Sequence, residues 1–174
     1  MTKVNVIYAS EMGTAMGVAD DVVELASNKG IETTLSEMND ISIDELETLS
    51  TAMFITSSTG DGDLPMMGED FWAALENADI NLQNLKYSVC ALGDRNYFSF
   101  CGAGKKIDGR LKELGAVSVV DRHECDGGVD GWDTWAENVF KQLGADVNVI
   151  NSGADGSKIN VKGYGRKSPM APPF

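Results

Sequence analysis

Three apolar runs, at residues 3–8, 52–56 and 87–92, each break off into a stretch of glycine, hydroxyl and acidic residues, and a helical pattern follows each break. No other feature restricts the fold as much. The run at 52–56 is apolar throughout, as in a central strand buried on both faces. Val18, Val22, Leu25 and Ala26 share one helical face, as do Phe71, Trp72, Leu75 and Ala78. Ile107, Leu111 and Leu114 stripe a third helix that Gly115 ends, and Trp132, Trp135, Val139 and Leu143 stripe the last. A weak strand is expected over 31–35, a short helix over 42–49 with Ser42 as its cap, and a fifth strand over 116–120 followed by a loop over 122–131. Strands alternating with helices predict an α/β fold, a parallel sheet with helices on both faces. Ligands of such sheets bind beyond the carboxyl ends of the strands. The loops after strands one, three and four therefore converge on one site.

The first loop, Ser10-Glu11-Met12-Gly13-Thr14-Ala15, has no Lys or Arg, so an anion there is held by neutral donors and the start of a helix. A P-loop, a dinucleotide fingerprint and a cysteine nucleophile are all absent from it. Taken alone, its composition fits a phosphate cradle or a helix merely capped by Ser10 and Thr14. The second loop, 57–65, carries Gly60 and Gly62, which let backbone approach a ligand closely. The third, 93–102, carries Tyr97, whose ring can stack on another ring. Phosphate cradle, glycine loop and aromatic loop together suit a phosphorylated flat ring, and flavin mononucleotide (FMN) is the cofactor expected. Glu11, Asp61, Asp63, Asp94 and Asp126 would surround it with negative charge and disfavour its anionic reduced form. No side chain is expected to perform acid–base catalysis, and His123, the sole histidine, has no partners at metal spacing.

A net charge of −13 and a pI near 4.3 argue against nucleic acid and anionic membrane as partners and for basic protein surfaces. With 174 residues and 43% hydrophobic content, one core is expected, over 1–147. A linker and a basic arm rich in Gly and Pro follow over 148–174. Cys90, Cys101 and Cys125 lack metal or redox spacing and read as reduced thiols, which with the missing leader pattern predicts a cytoplasmic protein, and a monomer is expected.

In order and spacing the motifs resemble the flavodoxin-like FMN domains, especially those of diflavin reductases such as sulfite reductase flavoprotein and the reductase of microsomal haem monooxygenases. The resemblance rests on the first loop, on Ser58-Thr59-Gly60-Asp61-Gly62-Asp63-Leu64-Pro65, on Leu92-Gly93-Asp94-Arg95-Asn96-Tyr97 and on Phe100-Cys101-Gly102, and it covers residues 3 to about 143. It implies a three-layer fold with a five-stranded sheet in the order 2-1-3-4-5. It also implies that Ser10, Glu11, Met12, Gly13, Thr14 and Ala15 hold the phosphate. Ser58, Thr59, Gly60, Asp61 and Gly62 would line the ring and ribityl chain from the second loop. Leu92, Gly93, Asp94, Asn96, Tyr97, Phe100 and Cys101 would do so from the third, with Asp126 near the polar edge.

Two departures stand out. Several relatives carry an aromatic residue where this chain has Thr59, which leaves one ring face less covered. The stretch 164–169 is similar to the connector into the reductase half of diflavin enzymes, yet no NADPH-binding module follows, so a free-standing carrier or an excised domain is expected. The function implied is one-electron transfer from an NAD(P)H-dependent flavin reductase to a basic-surfaced haem protein, preferably a monooxygenase, or to an iron–sulfur protein. The alternatives are the FMN domain of a sulfite-reductase-type diflavin enzyme and a flavin-dependent quinone reductase. A phosphorylated receiver is disfavoured, because Ser57, Ser58 and Thr59 stand where it needs an acceptor Asp.

Overall fold

The computed structural model describes residues 3–147. The linker and arm expected over 148–174 lie outside the described residues. β1 (Val4–Ala9) leads into α1 (Thr14–Asn28) and β2 (Thr33–Glu37). After a 3-10 turn at Met38–Asp40 come α2 (Ile43–Thr48), β3 (Thr51–Thr56), α3 (Met66–Glu76), β4 (Lys86–Gly93) and α4 (Gly102–Glu113). The described chain ends with β5 (Val117–Ser118), β6 (His123–Asp126) and α5 (Trp132–Val147). All pairings among these strands are parallel, in the order β2-β1-β3-β4-β5, with β6 also beside β4.

The strand pattern explains the layers. Successive residues of a strand face opposite sides, so Val6, Tyr8, Met53, Ile55, Cys90 and Leu92 pack under α1 and α5, against Val18, Val22, Trp132 and Val139. Their neighbours Ile7, Ala9, Phe54, Tyr87, Val89 and Ala91 pack under α3 and α4, against Phe71, Leu75, Ile107 and Leu111. The sheet is buried on both faces, as its apolar runs require. Gly115, at φ +97, closes α4: its N–H bonds the Lys112 carbonyl, and the Ala116 N–H bonds the Leu111 carbonyl. The Ser42 hydroxyl accepts from the Glu45 N–H at 3.1 Å and starts α2 as expected.

The structure departs from the sequence reading at both sheet edges. β2 begins at Thr33 rather than 31, because the Ile31 N–H is spent on the Ala26 carbonyl in closing α1. The fifth strand is broken: β5 has two residues, and β6 forms inside the expected 122–131 loop. Between them the Val120 carbonyl accepts from the Ser88 hydroxyl at 2.8 Å, and Arg122 reaches the buried Asp108 at 2.5 Å. The carboxylate of Asp108 thus gains Arg122 beside Tyr87 and Lys112, and apolar periodicity carries no sign of that pairing. α3 stops at Glu76, so Ala78 lies beyond it. No helix among the described residues is long and apolar enough to cross a membrane.

Candidate functional site

Parallel register brings the ends of β1, β3 and β4 to one edge, with Ala9 beside Thr56 and Thr56 beside Ala91. The loops leaving that edge enclose a cleft of about 320 Å³, within the range of small-molecule sites.

At the first loop, Gly13 sits at φ +95 as the residue before α1, and no side chain caps the helix. The Ser10 hydroxyl accepts from the Gly13 N–H at 2.9 Å, so it shapes the loop rather than capping the first turn. A helix start without a side-chain cap, preceded by a left-handed glycine, is suited to an anion. Glu11 and Met12 line the cleft itself. Gly13 and Thr14 border a depression beside it, and Ser10 and Ala15 are buried beneath.

At the second loop the chain turns back on itself. The Thr59 N–H bonds the Asp63 carbonyl at 2.9 Å, and the Asp63 and Gly62 N–H groups bond the Thr59 carbonyl at 2.8 and 3.1 Å. Ser58, Thr59, Gly60 and Gly62 line the cleft, whereas Asp61 faces a second depression with Asn96. Gly62 is at φ +92, and a Cβ there would lie 2.6 Å from the Ser99 Cβ and 3.1 Å from the Gly102 Cα. Only glycine lets the second and third loops touch backbone to backbone. Ser57, just before this loop, bonds the Ala9 carbonyl through its N–H, and its buried hydroxyl has no partner among the described residues.

The third loop is held from outside. The Arg95 N–H bonds Asp126 Oδ1 at 3.0 Å and its guanidinium pairs with Asp126 Oδ2 at 3.3 Å, while the Gly127 N–H bonds the Gly93 carbonyl at 2.8 Å. Asp126 thus fixes this loop rather than lining the cleft. Gly93, Asp94, Tyr97, Phe100 and Cys101 do line it, and Leu92 is core beneath them. Arg95 lies over the Phe100 ring at 4.3 Å, so Phe100 presents one face to a cation. Ser99 and Cys101 both take φ +55, rare for residues with a Cβ. Cys101 is fully buried, its thiol directed at the Ala91 carbonyl at 3.4 Å, and burial pushes that thiol up to about 12. It serves as a neutral wall.

Phe98 and Ser99 also line the cleft and escaped the sequence reading. Phe98 has the signal to be found, an aromatic residue next to Tyr97 in a polar loop, whereas Ser99 enters only through the loop's unusual backbone. Met12, Tyr97 and Phe98 are 73%, 68% and 82% exposed around the opening, and large apolar side chains clustered at a cleft mark a ligand surface. The expected ring of negative charge is partly neutralised, since Asp63 pairs with Lys106 at 3.0 Å and Asp126 with Arg95. Trp132 and Trp135 are core, and the Trp135 indole N–H donates to the Ser88 hydroxyl at 2.9 Å.

Residues 6–146 match the flavodoxin family. The chain belongs to that family. FMN is the cofactor of flavodoxins and of the FMN domains of diflavin reductases. Among curated relatives, the chain is 35% identical to the NADPH sulfite reductase subunit beta of Schizosaccharomyces pombe, over 81% of this chain and 10% of that protein. It is 31% identical to the NADPH sulfite reductase flavoprotein alpha-component of Bacillus subtilis, over 97% of this chain and 28% of that protein. The chain thus spans a minor part of these relatives. Oxidised flavodoxin 2 from Bacillus cereus superposes with a TM-score of 0.67 at 28% identity, covering 81% of this chain and 99% of that one. The cleft lies where three loops of this chain meet, and the helix start without a side-chain cap, the glycine contacts and the exposed aromatic residues fit FMN.

Proposed function

We propose that the chain binds FMN in this cleft and relays electrons one at a time from an NAD(P)H-dependent flavin reductase to a basic-surfaced haem or iron–sulfur protein. The observation that carries the reading is a single cleft combining a helix start without a side-chain cap, a glycine turn and exposed aromatic residues. The cofactor, when bound, supplies the electron-carrying chemistry. The rest is positioning. The start of α1 holds the phosphate with backbone donors and its dipole, needing no cation. Gly60, at φ +52 with only Asp63 near its open side, gives the turn a peptide able to hold a ring proton on its carbonyl oxygen. Tyr97 and Phe98 keep water from the ring, and Glu11 and Asp94 keep negative charge near it.

For the acceptor, the likeness to sulfite reductase components favours a haem protein that reduces sulfite beside a haem monooxygenase. The buried, unpaired state of Cys90, Cys101 and Cys125 supports a reducing, cytoplasmic setting, and a monomer suffices because one chain supplies all three loops.

Anaerobic titration of the FMN-loaded protein with a reductant tests the reading. Two resolved one-electron steps are expected, and direct two-electron bleaching would favour a two-electron reductase instead. Mixing the reduced protein with each haem protein separates the acceptors. The rate is expected to fall steeply as salt shortens the Debye length to about 8 Å and below, and a flat dependence would remove the basic-partner account.

A further inference from the structure

The 59–63 turn offers the cleft no side chain larger than Thr59, so a ring bound there needs its apolar walls from elsewhere. Two walls are visible. Tyr97 and Phe98 stand between the cleft and the depression that holds Asp61 and Asn96. Met12 stands between the cleft and the depression along α1 that holds Gly17 and Asp20. Met12 is 73% exposed and lines the cleft, whereas the equally exposed Met66 does not.

We propose that Met12 is the wall for the ring face opposite Tyr97 and Phe98, covering what Thr59 leaves open. This rests on the flavin reading and gives Met12 a ring contact in place of the phosphate contact expected for its loop. An unbranched, polarizable thioether suits the task, because it adapts to an aromatic face without fixed geometry. The phosphate is left to the backbone of Gly13 and the start of α1.

Met66 provides an internal control: it too is 73% exposed, and it does not line the cleft. Peroxide converts an accessible thioether to its sulfoxide, so the flavin-free protein should oxidise at Met12 and Met66 at similar rates in the dark, read by peptide mass spectrometry. Riboflavin, which has the ring and no phosphate, should slow Met12 by at least about fivefold and leave Met66 unchanged. Inorganic phosphate should slow neither. Met12→Ala should weaken FMN and riboflavin by the same factor, about tenfold, from the lost apolar contact, while Met12→Leu stays within about threefold of wild type. Flavin bound, by fluorescence quenching, with Met12 oxidised as fast as Met66 would overturn this inference alone. Phosphate protecting Met12, or Met12→Ala weakening FMN but not riboflavin, would return Met12 to the phosphate. A protein that quenches no flavin would overturn the flavin reading and this inference together.

Discussion

The loop from β1 to α1 and the loop from β4 to α4 open on one cleft but keep their shapes by opposite means. The first is local: one glycine at φ +95 and one bond from the Gly13 N–H to the Ser10 hydroxyl set its course. The second is tertiary: Asp126 grips Arg95, Gly127 grips Gly93, Gly62 packs on Ser99 and Gly102, and the Ala103 N–H reaches the Ser58 hydroxyl at 3.1 Å. The half of the cleft proposed to hold the phosphate is thus written in adjacent residues, and the half proposed to hold the ring depends on contacts far apart in sequence.

Substitution at Gly62 should break the tertiary half most severely. An alanine Cβ would meet Ser99 at 2.6 Å at a backbone angle hostile to side chains, so Gly62→Ala should cost about 3 kcal/mol or more in urea unfolding. FMN and riboflavin affinity should fall together, and wild-type affinity would show that the loops do not depend on this contact.

Gly13→Ala probes the local half. A Cβ there meets nothing within 4 Å, which leaves only conformational strain of about 1–2 kcal/mol. FMN should weaken about tenfold by the same measure, with riboflavin unchanged in a fluorescence titration. Equal losses for both ligands would erase the division between phosphate and ring halves.

A smaller effect is expected from Asp126→Asn, which loses the ion pair and weakens the bond to the Arg95 N–H. About 1 kcal/mol of loop order should go, with FMN and riboflavin weakened alike and amide exchange quickened over residues 94–100. Unchanged exchange would mean that Gly127 and Gly62 hold the loop alone.

The weakest effect concerns pH. Burial raises Cys101 to about 12 and pushes the Tyr87 hydroxyl, which donates to Asp108, well above its ordinary value. The folded state therefore favours the neutral thiol and phenol. Their stabilisation is complete below the unfolded thiol value, near 9, and is lost as pH rises beyond it. The urea midpoint should decline above about pH 9, less so in Cys101→Ala. A midpoint that rose above pH 9 would contradict the buried neutral wall.

The same division explains what was legible in the sequence. The paired apolar layers and the convergence of three loops follow from periodicity and glycine placement, which are local signals, whereas the sheet order comes only with the family resemblance. Gly62 was readable as a close-approach residue, but not that it meets Gly102. Asp126 belongs to the site region through Arg95, and only folding brings those residues together. The break between β5 and β6 coincides with the pairing of Arg122 with the buried Asp108, a long-range contact that leaves no mark on hydropathy. Phe98 carries the same local signal as Tyr97, an aromatic residue in a polar loop, whereas Ser99 reaches the cleft only through backbone at φ +55.

Equilibrium titration of the flavin-free protein with FMN, followed by quenching of flavin fluorescence, tests the central claim most directly. Three loops forming one site predict saturable quenching at one FMN per chain, with riboflavin binding more weakly and inorganic phosphate competing with FMN but not with riboflavin. Fluorescence that stays at its free value through the titration would mean that the cleft at the strand ends is not a flavin site.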